Sequence, residues 1–189
     1  MVAIQIPNFG LNRHDTSSVS AYAKDVQRAE SLGWDAAFLP DSQLRRRDTY
    51  VLLAAAANCT NKIKIGPLLA NPVTRHPTVT ASSISTIGEL APDRTILALG
   101  IGDTAVRLAG LKPATVRELG SSVRTIRTLL SGLSVDVGSS KPAILPFAQK
   151  VPVWVAAGGP RTLEMAGSVA DGVFTVSYTH LTLPTNREV

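Results

Sequence analysis

Three short stretches of this chain end apolar runs in residues equipped for chemistry. AAFL is followed by Pro40 and Asp41, ILALG leads through Ile101 and Gly102 to Asp103, and VWVAA stops at Gly158, Gly159 and Pro160. A carboxylate directly after a strand-forming run can accept hydrogen bonds from a bound substrate or cofactor, or cap the next turn. Asp41 and Asp103 are therefore the candidate catalytic groups. Gly100 and Gly102 carry no side chain, so a flat ring can come close to the backbone before Asp103. Gly158, Gly159 and Pro160 open a helical pattern, and the N–H groups at a helix start, with the positive end of its dipole, suit a phosphate. Arg161 sits just inside that helix.

A fourth stretch, IKIGPLL, runs into ANPVTRHP. Asn71 can contact a cofactor ring or its polyol arm, or close an Asx turn before Pro72. Arg75 follows, and His76 can donate to a ligand hydroxyl or cap a helix; His14 is the weaker candidate. The three histidines show no HxH or HxxxH spacing, so no metal site is expected. The single Cys59 leaves no disulfide framework and no thiolate zinc site, which points to a reducing cytoplasm. No lysine stands at a strand end, against a Schiff-base lyase or aldolase, and no nucleophile–base pair stands out. Catalysis by proximity around a bound cofactor fits these residues better than a protein acid/base pair.

The elements that must carry these residues repeat one unit, a short strand, a turn and a helix. Strands are expected at Val2–Ile6, Ala36–Leu39, Ile63–Gly66, Thr95–Leu99, Val153–Ala156 and Gly172–Val176. A helix capped by Ser18 buries Val19, Tyr22, Val26, Ala29 and Leu32 and ends at Gly33. A second runs from Asp48 to Cys59. A third starts near His76 and Pro77 and buries Val79, Ile84 and Ile87. The clearest carries Val116, Leu119, Val123, Ile126 and Leu130 on one face. The stretch from Ser131 to Lys150 is rich in Gly, Ser and Pro and reads as a loop or small hairpin, and a last helix spans Pro160–Ala170, burying Leu163, Ala166 and Val169.

Strands that alternate with helices and lack in/out alternation predict a parallel α/β sheet covered by helices. No GxGxxG follows the first strand and no GxxxxGK[ST] occurs, which favours a (β/α)8 TIM-type barrel over an open dinucleotide-binding sheet. The barrel is incomplete, with five βα units and a sixth strand in 189 residues. Residues 1–176 form the partial barrel domain. The string SYTHLTLPTNREV shows no helical stripe and resembles a terminus found on unrelated translated frames, so residues 177–189, His180 included, are expected to be a non-native tail. Such a fragment would expose the edges of its first and last strands and is expected to express poorly or be inactive.

With 44% apolar residues the chain can bury one core, and no apolar run is long enough to cross a membrane. The net charge of +5 suits an anionic ligand. Only Arg45, Arg46 and Arg47 form a run, and no aromatic residues interleave with it, so a nucleic-acid partner is not expected and the run reads as a solvated loop. The expected partner is a small-molecule substrate; a homo-oligomer remains compatible.

DAAFLPDS, the block from RDTYVLL to STIGEL, DRTILALGIGD and VPVWVAAGGPRTLEMAGSVADGV together resemble the luciferase-like flavin-dependent oxidoreductases. The closest likeness is to the branch typified by the coenzyme F420-dependent 5,10-methylenetetrahydromethanopterin reductases. The resemblance implies a TIM-type barrel with the ring of coenzyme F420, an 8-hydroxy-5-deazaflavin, or of FMN lying across the strand ends. It implies a bulge at Leu68 and Leu69, with a non-prolyl cis peptide behind the ring, and cofactor contacts from Asn71, Gly102, Asp103, Gly158, Gly159 and Pro160. Leu68 and Ala70 stand where deazaflavin-using relatives tend to carry glycine and threonine, so both cofactors stay open. The implied activity is hydride transfer between the cofactor ring and a small organic substrate, the alternatives being an FMN-dependent monooxygenase or an inactive barrel fragment.

Overall fold

The computed structural model describes residues 10–12 and 17–175. The expected first strand at Val2–Ile6, His14, His180 and the 177–189 tail lie outside them. The elements are β1 (Gly10–Asn12), α1 (Val19–Ser31), β2 (Ala36–Leu39), α2 (Thr49–Ala57), β3 (Lys64–Pro67), α3 (Pro77–Leu90), β4 (Leu97–Leu99), α4 (Thr104–Leu108), α5 (Val116–Leu130), β5 (Val153–Ala156), α6 (Pro160–Val169) and β6 (Gly172–Phe174). Every paired strand runs parallel to its neighbour, in two sheets ordered β1-β2-β3 and β4-β5-β6.

Parallel bridges at Ile65–Thr95 and Ala70–Leu99 join the two sheets between β3 and β4. Ala70 lies five positions beyond Ile65, whereas Leu99 lies four beyond Thr95, so the β3 side carries one extra residue. That is a β-bulge, and it falls on Pro67–Leu69. The peptide bond between Leu68 and Leu69 is cis. On its other side the segment keeps its bond to β2, Leu68 N–H donating to the Leu39 carbonyl at 2.8 Å.

The strand order bends into an arc. Phe38 of β2 meets Phe174 of β6 edge-on with ring centroids 5.9 Å apart, and Trp154 of β5 lies 4.9 Å from the same ring. Side chains four strands apart along the order touch only if the sheet curves round them. Ala36, Phe38 and Ile96 fill this inner face with Leu68, Trp154 and Phe174 against them. The larger core lies on the outer face, where α1, α2, α3, α5 and α6 pack in sequence against one another and the strands.

Local chemistry sets the helix ends. Ser18 accepts from Ala21 N–H, and Asp48 accepts from Tyr50 and Val51 N–H. Thr115 and Glu118 form a reciprocal capping box at the start of α5. Gly33, at φ 84°, terminates α1 in the left-handed region. Several expectations change in detail. Leu32 is 68% exposed rather than buried, because it is the C-cap of α1, past the helix's inward face of Tyr22, Val26 and Ala29. Val79 is 47% exposed, because α3 turns Thr80, Ala81, Ile84, Ser85, Ile87 and Gly88 inward and leaves Val79 on the solvent side. Leu163 is only half-buried. An unexpected short helix, α4, follows β4, and the 131–150 excursion holds a single antiparallel bridge, Val135–Ala143.

The strand N-terminal ends are stapled by carboxylates. One oxygen of Glu30 accepts from the N–H groups of Asn61, Lys62 and Ile63 at 2.9, 2.6 and 2.9 Å. Arg94 donates to the Thr60 and Ile63 carbonyls beside it. Burial alone would raise the Glu30 carboxyl's pKa; the three N–H groups and Arg94 outweigh it and hold the carboxyl below its usual range. Asp171 plays the same part for β5, accepting from Val153 N–H and from Arg127.

A group whose folded pKa lies below its unfolded value stabilises the fold above the carboxylate range and loses that contribution as pH falls through it. We therefore expect Glu30→Ala to lower the unfolding free energy at neutral pH by about 1–3 kcal/mol in a urea titration. The gap to wild type should close on acidification. A gap that stays constant into acid would assign the effect to packing.

Candidate active site

Parallel strands wound in sequence order bring their C-terminal ends to one side, and loops after β2, β3 and β4 interlock there. Gln43 donates its side-chain N–H to the Ala105 carbonyl of α4 at 3.3 Å. Arg75, in the loop after β3, pairs with Asp48 at the start of α2 at 2.8 Å and stacks over the Tyr50 ring, 4.6 Å from its centroid. A Cβ built on Gly100 would stand 2.9 Å from the Leu69 side chain, and one on Gly102 would stand 3.2 Å from Asn71. Asp41, Leu68, Leu69, Asn71, Gly102 and Asp103 thus belong to one set of interlocked loops.

Asp41 is the centre of this set. Its side chain is 8% exposed, and its Oδ2 has no hydrogen-bond partner among the described residues. The neighbouring Ser42 hydroxyl is equally buried and equally without partner. Burial pushes the Asp41 carboxyl up, against the opposing charge of Arg75 and with the help of Asp48. Tyr50, buried beside it, has a phenol pushed up first by burial and then by Asp41. A buried carboxyl with an open oxygen is a hydrogen-bonding group without its partner.

Other candidates take more local roles. Asn71 closes an Asx turn, its Oδ1 accepting from Val73 and Thr74 N–H at 3.0 and 2.9 Å. His76 caps α3, with Nδ1 2.7 Å from the Thr78 hydroxyl. Asp103 precedes α4 yet makes no capping bond; it is exposed on the rim and pairs with Arg107 one turn on. Gly100 and Gly102 receive Leu69 and Asn71 in the space read from the sequence as room for a ring, because the β3 bulge leans against β4. Gly158, Gly159 and Pro160 lie at the end of β5, on the same side of the sheet. Gly159 is the N-cap of α6, and a Cβ there would meet nothing within 4 Å. A groove of about 580 Å³ between the first turns of α3 and α5, with Pro72, Pro77, Pro113 and Glu118 in its walls, is not lined by Asp41 or the bulge. Sequence reasoning missed Tyr50, which sits in an apolar helical run, and Trp154, whose indole N–H is buried without a partner among the described residues.

The class this geometry defines is a curved parallel α/β protein with its polar centre at the strand ends. The profile of the luciferase-like monooxygenase family matches residues 1–183, and the chain belongs to that family. It is 35% identical over 176 residues to a 5,10-methylenetetrahydromethanopterin reductase of Methanolobus tindarius, covering 87% of this chain and 52% of that protein. It is 32% identical over 172 residues to an F420-dependent glucose-6-phosphate dehydrogenase of Intrasporangium calvum, covering 79% and 52%. The coenzyme F420-dependent tetrahydromethanopterin reductase of Methanopyrus kandleri superposes with a TM-score of 0.75 at 25% identity over 90% of this chain and 56% of that one. The chain spans about half the length of these relatives.

A carboxyl whose folded pKa is raised takes stability away above the unfolded carboxylate range and gives it back as pH falls through the folded value. Asp41→Asn should therefore leave the fold as stable or more so at neutral pH, by up to about 1–2 kcal/mol. The difference should vanish on acidification. A variant less stable than wild type at neutral pH would show that the carboxylate is internally satisfied.

Proposed function

We propose that this chain carries the cofactor-side wall of an oxidoreductase that transfers a hydride between coenzyme F420 and a small organic substrate, on an arc of a (β/α)8-type barrel. The observation that carries the reading is the buried Asp41 Oδ2, without a partner among the described residues, beside an interlocked bulge at the strand ends. Similarity to two F420-named enzyme classes supports the deazaflavin over FMN. The edge contact of Phe38 with Phe174 supports the barrel curvature.

The residues present fit such a cofactor. Asp41 Oδ2 and the Ser42 hydroxyl have no partner among the described residues, and Gly159 opens free space at the positive end of α6. When bound, a deazaflavin supplies two-electron hydride chemistry without oxygen. Leu68 and Leu69 give its ring an apolar backing, and Asn71 and Gly102 fix the shape of that backing. Gly158, Gly159 and Pro160 hold the phosphate. Arg75, braced by Asp48 and Tyr50, limits how far Asp41 is driven toward its neutral form, and Asp41 orients the reacting partner by a hydrogen bond. Asp103 faces the substrate side of the rim. The single cysteine fits a reducing cytoplasm.

Fluorescence titration with coenzyme F420 and with FMN tests the reading. We expect quenching and saturation with the deazaflavin; binding of neither would falsify the proposal, and binding of FMN alone would move the protein to the monooxygenase branch. Gly159→Asp sharpens the test because its two effects have opposite sign. An aspartate N-cap should hold or raise stability by about a few tenths of a kcal/mol. Its charge should weaken cofactor binding by about tenfold or more. Unchanged affinity would make this turn structural only.

A further inference from the structure

We propose that Tyr50 and Thr80 form a buried hydroxyl relay behind Asp41, in which the Thr80 hydroxyl donates to the Tyr50 phenol oxygen and the phenol O–H reaches the Asp41 carboxyl through a bound water. Tyr50 is then a positioning residue for the group that orients the reacting partner. That role of Asp41 rests on the oxidoreductase reading; the relay rests on how α2 and α3 pack against the end of β2.

Asp41, Tyr50 and Thr80 are 8%, 7% and 1% exposed, and each holds a polar atom with no partner among the described residues: Oδ2, the phenol oxygen and Oγ1. Two ties gather them. Thr49 Oγ1 donates to the Pro40 carbonyl at 3.0 Å, which latches the first turn of α2 to the end of β2 and brings Tyr50 alongside Asp41, the next residue in each segment. Asp48 pairs with Arg75 at 2.8 Å, and Arg75 covers the Tyr50 ring, so the start of α2 is also fixed to the loop that leads into α3. Thr80 N–H donates to the His76 carbonyl at 3.0 Å, which places Thr80 in the first turn of α3, on the face buried beside α2.

Burial, and after it Asp41, hold the phenol above its ordinary range, and Thr80 offsets part of that rise. The phenol therefore stays protonated and keeps a proton to donate. Thr80 lies close enough to act on it, yet the two hydroxyls stand outside direct hydrogen-bond geometry, as do the phenol and Asp41 Oδ2. Buried polar atoms at such spacing are joined by water, which typically serves about three partners. A donor that reaches Asp41 favours its charged form. Among the described residues, the charged groups that face Asp41 from α2 and from the loop before α3 are Asp48, which adds to the effect of burial, and Arg75, which opposes it. Tyr50 sides with Arg75.

Carbon-13 NMR of the Asp41 carboxyl, assigned by its loss in Asp41→Asn, follows the titration of that group in the cofactor-free chain. Tyr50→Phe should raise the midpoint by about half a pH unit or more, because the charged carboxylate loses a donor. Thr80→Val should move it the same way by less, and Thr80→Ser, which keeps the hydroxyl, should leave it at the wild-type value. A purely structural role would lower the melting temperature without setting the midpoints in this order. An unchanged or lowered midpoint in Tyr50→Phe overturns the proposal. Should Tyr50→Phe fail to fold, the two Thr80 variants decide: a higher midpoint in Thr80→Val than in Thr80→Ser supports the relay, and equal midpoints overturn it. The titration needs neither cofactor nor turnover, so its failure is distinct from failure of the oxidoreductase reading.

Discussion

The close approach of Gly66 to Ile96 is the contact on which the rest of this structure depends. A Cβ at position 66 would lie 1.8 Å from the Ile96 carbonyl oxygen, so no other residue can stand there without pushing β3 and β4 apart. Through that gap pass the bonds from Ile65 N–H to the Arg94 carbonyl and from Ile96 N–H to the Ile65 carbonyl, at 2.8 and 2.9 Å. The two three-stranded sheets become one curved ladder only because this seam closes. Having closed at Ile65, the strands separate by one residue and meet again at Ala70, and the separated residues form the bulge that leans Leu69 onto Gly100 and Asn71 onto Gly102. Glycine at one position thus permits the curvature and, a few residues on, the shape of the site.

The two ends of the strands are built to opposite rules. At the N-terminal ends, backbone donors find carboxylates: three N–H groups meet Glu30, and Val153 N–H meets Asp171, each carboxylate lying close to an arginine. Orphan donors are satisfied there, and the cost of ordering the turns is offset locally. At the C-terminal ends, Asp41 Oδ2 and the Ser42 hydroxyl are buried and have no partner among the described residues. An unsatisfied buried polar atom costs about 1–3 kcal/mol. The carboxylates at the N-terminal ends are thus satisfied by backbone donors, while a carboxylate oxygen and a hydroxyl at the C-terminal end of β2 have no partner among the described residues.

What could be read from the sequence follows the range of the interactions. β2 and β5 fall on the expected residues, and α1, α2 and α3 begin at the residues expected to start them, because Ser18, Asp48 and His76 act on N–H groups two or three residues away; the Thr115 capping box of α5 is equally local but was not read. The Asx turn of Asn71 is equally local. The seam at Gly66 was hidden because its cause, the Ile96 carbonyl, is thirty residues distant. Val79 was misjudged because the inward face of α3 is decided by α2 and α5, which flank it, rather than by its own apolar spacing. Gly100 and Gly102 were marked as places of close approach to a ring; in the structure Leu69 of the β3 bulge stands against Gly100, and Val106 of α4 and Asn71 stand against Gly102. Asp41 was visible as a strand-end carboxylate; its burial was not, since Tyr50 and Arg75 reach it from other segments.

The electrostatics of the site follow from how its arginines are spent. Arg75 stands between Asp48, at 2.8 Å, and the face of Tyr50, at 4.6 Å, and its charge opposes the burial that drives Asp41 toward protonation. Its pairing with Asp48 draws off part of the field that would otherwise reach Asp41, while Asp48 itself pushes the same way as burial. Asp41 is therefore raised by its buried position, without a dedicated ion pair among the described residues to hold it down. Arg107 is spent on Asp103 in the same fashion, at the rim and in water, where such a pair is worth about 0.3–0.5 kcal/mol. The buried Asp41 and the exposed Asp103 thus differ first in how much water surrounds them. At Asp41 the loss of water raises the carboxyl, with Arg75 opposing and Asp48 adding to it, because a charge buried under the strand-end loops has little solvent left to stabilise it.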